Sequence, residues 1–487
     1  MVIALGIDVG STAVKASAVE LTESVRELAV ATASVAGLDA PALVRAALAA
    51  AAAALERAAA GPARVVGIAS MAETGAITDA DGSSHGALVR WDRLPDHRRR
   101  DELEARLDPR ALHATTGVPL TRKLPLLTWA ELATGQDEPP RHWAFTADLV
   151  AAALTGRRAT DHTLAGRSGA LPLPEASASL TLAWDDELLA AFGIARGFAP
   201  DVLAPGEPAG IVSQEAVAAL GGLVDPDASV YIAGHDHAVA AWIGSARSRG
   251  RRVRSIGTTE AVVAIAAGEV DREAAWREGI SVVRAVDGIL EGALAGSPAA
   301  GSLIEDWRTR VLEDGEDGDE LMMRARLERG PDEAIALPYP RGRQCPHPDA
   351  SAALVFRGVP AGDRIAELHA LLRGIAAHGG WMIEAAEALC GVAAPPVLVG
   401  APYRLNGRLA ALSAAVAGTP LELVDLAAPV ASGAAALAAD RDGLAGEVHA
   451  PTRLIDPDRV TDDGFVDRFR AAIAESAVSA RPPTRTP

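Results

Sequence analysis

The chain has 487 residues, 49% hydrophobic and 23% charged, a balance that excludes a disordered protein and leaves length for two or three domains. A formal net charge of −18 argues against nucleic acid or an anionic membrane as partner. Two cysteines, Cys345 and Cys390, are too few for a disulfide framework or a cysteine-rich metal centre, and with 3% aromatics the core must be built from Ala, Val, Leu and Ile.

In chain order, strands alternate with Ala-rich helices, which argues an α/β fold. Val2 to Ile7 reads as a buried strand and Ala13 to Leu21 as a second, joined through a tight turn at Gly10-Ser11-Thr12. Pro41 to Ala60 reads as a helix, Arg64 to Ser70 as a third core strand, and Leu124 to Thr134 and Thr146 to Leu154 as helices. Pro172 to Pro208 is turn-rich. Ser229 to Ala233 reads as a strand that breaks at Gly234 and opens a helix near His237, and Arg252 to Ala267 as a hairpin. Arg364 to Leu389 reads as a long amphipathic helix, Val397 to Gly400 as a strand opening another helix, and Val430 to Ala439 as a small-residue helix. The acidic run Glu313 to Glu320 reads as a solvated loop. The longest apolar run, Ala46 to Leu55, is about half of what a membrane span needs. Met1 to Ile7 carries no positive charge and does not read as a signal peptide, so a cytoplasmic protein is expected.

The chain echoes itself. Ile7 to Val14 and Ser255 to Val262 share the plan strand, Gly-[Ser/Thr]-Thr turn, strand; Val230 to Gly244 and Leu398 to Ala411 share strand, Gly-centred turn, helix. Two elements recurring in one order predict two related halves with a cleft between them, divided here as 1–247 and 248–475 with a disordered tail at 476–487.

Both turns suit phosphate: glycine lets the backbone approach an anion, N–H groups form a nest, and hydroxyls add donors. Facing each other, they could grip a polyphosphate from two sides; singly, either is also an ordinary hairpin turn. Asp8 precedes the first turn, and a carboxylate beside polyphosphate is tolerated when a cation lies between, so Asp8 is expected to hold Mg²⁺ through water. Lys15 lies just past that turn, ready for a phosphate or an acidic neighbour. Lys15 and Lys123 are the only lysines among 46 basic residues. Asp236, where a core strand gives way to a helix, could accept a proton from a substrate hydroxyl or could cap the helix. His235 and His237 flank it without an evident third metal ligand. No P-loop, Gly-x-Gly-x-x-Gly, Gly-x-Ser-x-Gly or His-Glu-x-x-His motif is present.

Together these residues resemble the FGGY carbohydrate kinase family, from about Val2 to Ala439. Gly6 to Lys15 looks like its opening phosphate motif, Gly67, Ile68, Glu73 and Thr74 like a sugar-contacting segment, and Trp91-Asp92-Arg93 like its Trp-x-Asp-x-Arg stretch. Lys123 stands where the family has a lysine opening a helix. Ala233 to Asp236 is similar to the segment with the catalytic Asp, Ser255 to Thr259 to the second phosphate loop, Leu337 to His347 to a Leu-Pro-Tyr segment, and Val399-Gly400 with Ala434 to Ala439 to the adenosine side. The resemblance implies two ribonuclease H-like, actin/hexokinase-type domains around an interdomain cleft. It implies ATP and Mg²⁺ as cofactors, a small sugar, sugar acid or polyol as substrate, and a homodimer as a common arrangement. Carried onto this sequence, Asp236 would be the catalytic base. Gly10, Ser11, Thr12, Lys15, Gly257, Thr258, Thr259, Gly400 and Ala401 would bind ATP. Glu73, Trp91, Asp92 and Asp236 would bind substrate, and Asp8 and Asp236 would hold Mg²⁺ through water. Three departures weigh against an ordinary member. Gly400-Ala401-Pro402 replaces a triple-glycine loop, which should stiffen the backbone. Glu260 sets a negative charge after the second phosphate loop. Ala72 and Val118 stand where glycerol kinases carry Arg and an aromatic, and the Gln-Met-His-Gly of xylulose kinases is absent. The first two keep open a catalytically lapsed or regulatory nucleotide-binding protein on the same fold; the third argues against glycerol as substrate.

Overall fold

Two sheets with one strand order carry the fold. The computed structural model describes residues 2–80, 82–84, 86–92, 97–133, 141–245, 247, 249–312, 331–458 and 464–479. In the first lobe β1 (Val2–Val9), β2 (Ala13–Leu21) and β3 (Val25–Ser34) form an antiparallel meander. Helix α1 (Ala40–Ala58) follows, capped by the Asp39 carboxylate on the Ala42 amide, and leads to β4 (Ala63–Ser70), parallel to β1. β5 (Val224–His235) closes the order β3-β2-β1-β4-β5, parallel to β4, with the short strand Gly210–Ile211 at the edge, and runs directly into α2 (Asp236–Ile243).

The second lobe repeats the plan. β6 (Arg252–Ile256), β7 (Glu260–Ile265) and β8 (Glu291–Ser297) form the meander, then α3 (Gly301–Val311) and the long α4 (Arg364–Cys390) precede β9 (Val397–Val399) and β10 (Leu421–Val424). The order is β8-β7-β6-β9-β10, with the same directions at every step and extra strands Ser281–Arg284 and Thr452–Ile455 at the two edges. This is the two-lobed α/β architecture that the sequence predicts.

Helix α5 (Pro429–Arg441) follows β10, and α6 (Phe465–Ser479) packs on α4. Each lobe lends a helix to the other. α5 lies on β1 and β4 of the first sheet, while α2 packs on β6 and β7 of the second, and the two helices pack together. Glycines permit the contact: a Cβ on Gly6 would fall 1.8 Å from the Ala431 carbonyl oxygen, and one on Gly67 2.0 Å from that of Ala434. Glu27 of β3 secures the start of α5 by accepting from the Ala428 amide at 2.8 Å and from the Ser432 hydroxyl at 2.8 Å.

Several expectations need correction. The hairpin echo holds, but the second matched pair does not. Sheet position pairs β5 with β10 and β4 with β9, so the counterpart of α2 is α5 and not the helix after Gly400. Gly234 (φ 117°), next to last in β5, and Gly400 (φ 126°), just after β9, both lie where a strand gives way to a helix, which gives them one local signature; long-range pairing decides their rank in the sheet. The strand does not break at Gly234 but shifts register there and continues to His235. α6 runs through residues 476–479, where a disordered tail was expected. Arg93, the Glu313 to Glu320 run and residues 480–487 lie outside the described residues. Among the described residues no helix is long and apolar enough to cross a membrane.

Candidate active site

A cleft of about 610 Å³ opens between the lobes. Asp8, Gly10, Ser11, Thr12 and Lys15 line it from the first hairpin, and Gly257, Thr258 and Thr259 from the second. Asp236, Glu73, Trp91, Gly400 and Ala401 complete the wall. Asp92 does not line it: Arg90, two residues away, takes its carboxylate at 2.9 Å. Burial raises the Asp92 carboxyl, but the hydrogen bond and charge of Arg90 outweigh this and hold it below the usual carboxylate range.

The two turns meet. Ser11 Oγ donates to Thr258 Oγ1 at 3.0 Å. The Gly10 and Gly257 amides are used inside their own hairpins, on the carbonyls of Ala13 and Thr259. An anion nest here therefore rests on the amides and hydroxyls of residues 11, 12, 258 and 259. A Cβ on Gly257 would meet no protein atom within 4 Å, so the space over that turn is open. Beneath it the start of α3 is tied to the turn, with the Ala300 and Ser302 amides on the Thr258 carbonyl at 3.2 and 3.1 Å.

Two of the three departures have structural answers. Pro402 lies in the first turn of the helix Ala401–Leu405, where an N–H has no intrahelical partner to lose, and Gly400 supplies the positive φ before it. A Cβ on Gly400 would sit 2.0 Å from the Ile256 carbonyl oxygen. Glu260 is neutralised by Arg254, whose Nε donates to it; the guanidinium also donates to Ser413 Oγ at 3.0 Å and to the Ile375 carbonyl at 2.9 Å. Both side chains are buried, and Gly379 leaves the room they occupy, since a Cβ there would lie 2.0 Å from the guanidinium.

Asp8 faces Lys15 across the β1–β2 ladder. Burial first, then the nearby charge of Asp236, push its carboxyl up to about 7 against the pull of Lys15. Its Oδ1 is buried without a hydrogen-bond partner. Asp236 is the first residue of α2, with His235 in the cap position, so the capping reading of Asp236 is corrected. Its Oδ1 accepts from the His237 amide at 2.7 Å and lies 3.1 Å from His235 Nε2. Burial works to raise Asp236, but His237 and His235 outweigh it and carry it down to about 2. Burial likewise holds the His237 ring down to about 4, so it is neutral at pH 7 and bridges two hydroxyls of the second hairpin, Ser255 at 2.7 Å and Thr259 at 3.0 Å.

Glu73 sits in the left-handed region (φ 59°) and accepts from Arg167 at 3.1 Å, with Lys123 at 3.7 Å. Burial would raise its carboxyl; the charges of Lys123 and Arg167 keep it below the usual value. Lys123 and Arg341 lie 5.4 and 5.6 Å from the ring centre of Trp91. Arg167, His237 and Gln344 line the cleft without having been assigned to the site from sequence. Lysine scarcity flags Lys123; nothing local distinguishes Arg167 from the other arginines. Among the described residues no three His, Cys, Asp or Glu side chains gather as a metal cage.

Residues 3–244 match the model of the FGGY family of carbohydrate kinases, N-terminal domain. An L-fuculokinase from Salmonella typhi is 29% identical over 203 residues, a stretch covering 40% of this chain and 40% of that protein. Among solved structures, a xyloylose kinase from Brucella ovis superposes with a TM-score of 0.78 at 20% identity, over 98% of this chain and 99% of its own. A gluconate kinase from Lactobacillus acidophilus superposes at 0.76 with 17% identity, over 98% of both chains. At such identities the superpositions establish the fold alone. By the family model, residues 3–244 belong to the FGGY family of carbohydrate kinases, and the whole chain shares its fold with the solved kinases.

Proposed function

We propose that the chain transfers the γ-phosphoryl group of ATP to a hydroxyl of a small sugar, sugar acid or polyol, in the cytoplasm, with Asp236 as general base. The observation that carries the reading is the convergence on one cleft of both Gly-[Ser/Thr]-Thr turns and a single ionised carboxylate at a helix start. The names of the relatives, L-fuculokinase and xyloylose kinase, fit a sugar as acceptor. Glu73 accepts from substrate hydroxyls while Lys123 and Arg167 donate.

Asp8 fits a cation: its Oδ1 is buried and unpartnered, and the charge of Asp236 beside it is repulsive. Held there through water, Mg²⁺ would supply charge neutralisation between the carboxylates and the triphosphate. The residues of the chain do the rest. The amides and hydroxyls of residues 11, 12, 258 and 259 hold the phosphates from both lobes. Both contacts to Asp236 fall on Oδ1, so Oδ2 takes the acceptor hydroxyl. The acceptor's hydroxyl oxygen attacks the γ-phosphorus in line, the bond to ADP breaks, and the hydroxyl proton passes to Asp236 Oδ2. In a loose transition state position outweighs basicity, so a carboxylate near 2 suffices. Closure excludes the water that would otherwise hydrolyse ATP. The lapsed reading rested on Glu260 and Pro402; the Arg254 partner and the helix-start position of Pro402 remove both supports.

The test is Asp236→Asn in an ADP-release screen over ketoses, aldonates, polyols and glycerol. The variant should keep ATP binding and lose roughly 10³-fold or more in kcat. Near-normal turnover would refute the base assignment.

A further inference from the structure

Behind Asp236 lies a buried polar cluster that the phosphoryl-transfer reading does not use. Asp161, at the end of the short strand Ala159–Asp161, is 3% exposed. Its Oδ1 accepts from the Thr163 amide at 2.7 Å and from the Thr163 hydroxyl at 2.6 Å. With its proton committed to Asp161, the Thr163 hydroxyl has its oxygen free to accept, and it takes the His235 amide at 2.8 Å. His235 is the residue before Asp236, so the chain of bonds ends on the turn that delivers the base. Gly234 exists for this contact: its φ is 117°, and a Cβ there would fall 2.2 Å from Thr163 Oγ1 and 2.7 Å from Asp161 Oδ1.

The other oxygen of Asp161 faces the second lobe. Oδ2 lies 3.3 Å from His162 Nδ1 and 3.9 Å from Arg441 at the end of α5. Arg441 donates to the Ile232 carbonyl in β5 at 3.2 Å and to the Val286 carbonyl at 2.8 Å, while His162 Nε2 contacts the Ala285 carbonyl at 3.0 Å. One carboxylate thus touches the turn carrying Asp236, the tail of the exchanged helix and, through two neighbours, the second lobe's β-turn.

We propose that Asp161 and Thr163 are positioning residues for Asp236: the carboxylate orients the Thr163 hydroxyl, the hydroxyl fixes the His235 amide, and Asp236 thereby enters the cleft at a set depth relative to the second lobe. The proposal rests on the reading of Asp236 as base. Without the hydroxyl the His235 amide loses its acceptor and the turn relaxes; a displacement of about 1 Å at a reacting group costs on the order of 100-fold in rate.

Thr163→Val keeps the shape and deletes the hydroxyl; Thr163→Ser keeps the hydroxyl and deletes the methyl; Thr163→Ala deletes both and serves if the valine variant does not fold. Steady-state kinetics, calorimetry with ATP·Mg²⁺ and thermal melts are read on each. The valine and alanine variants should lose about 10- to 100-fold in kcat, with substrate KM and nucleotide affinity within about twofold of wild type, and serine should restore most of the rate. A valine or alanine variant with wild-type kcat, or a serine variant as slow as valine, overturns the relay. Equal losses in kcat and nucleotide affinity point to general damage and also overturn it. A wild-type chain that binds nucleotide yet phosphorylates nothing in the screen sinks the kinase reading itself, and the relay with it.

Discussion

Ser11 and Thr258 meet hydroxyl to hydroxyl at 3.0 Å across 247 positions of chain. One comes from each lobe, so their bond reports directly on closure at the phosphate site. Ser11→Ala should raise the KM for ATP about 10-fold, the worth of one charge-assisted hydrogen bond of about 1.5 kcal/mol, and leave the sugar KM nearly unchanged. Adding Thr258→Val should cost less than the sum of the single changes. Steady-state kinetics on the four proteins measures this; strict additivity would count against the pairing.

Asp8 binds a proton below about pH 7, and a cation needs the carboxylate. Affinity for Mg²⁺ in the nucleotide complex should weaken about tenfold in total as the pH falls from about 8 to 6, measured by calorimetry; a flat profile contradicts the assignment. The stability effect has the opposite sign. The folded value lies above the unfolded one, so stability present at low pH is lost as the pH rises through about 7. Asp8→Asn should therefore melt roughly 2–4 °C above wild type near pH 8, with the gap narrowing in acid, while losing activity.

Glu73 pairs through one oxygen, Oε1, with both Lys123 and Arg167. Glu73→Gln weakens both contacts. The expected result is a fall of about 100-fold in kcat/KM for the sugar with the ATP KM unchanged. A rise in the ATP KM of the same size would move these cations to the γ-phosphate.

Glu260 and Arg254 form a buried pair, and breaking one partner leaves the other charge uncompensated. Glu260→Gln should lower the unfolding free energy by about 3 kcal/mol in urea titrations. Gly379→Ala, which drives a methyl into the guanidinium, should be comparably harmful. Unchanged midpoints in both would remove the pair as the answer to the charge after the second turn.

What the sequence disclosed was local. The Gly10 and Gly257 hairpins, the junction at Asp236 and the Ala-rich helices each carry their signal within a dozen residues, and the structure has them where expected. Val25–Ser34 carries a weaker signal: it is mostly only partly buried, and its one apolar run is the short Leu28 to Ala31. Arg167 is held at the cleft by Glu73 and Ser281, 94 and 114 positions away, and no local pattern marks it. Asp92 sits in a motif-like stretch, but Arg90 is a nearer partner than any substrate. The echo was half read for the same reason: strand, glycine and helix look alike at Gly234 and Gly400, and only sheet order separates them.

Because α2 and α5 each complete the opposite lobe's packing, neither half owns a finished interior. A cut between residues 245 and 249 should therefore yield two insoluble fragments that recover activity only when produced together.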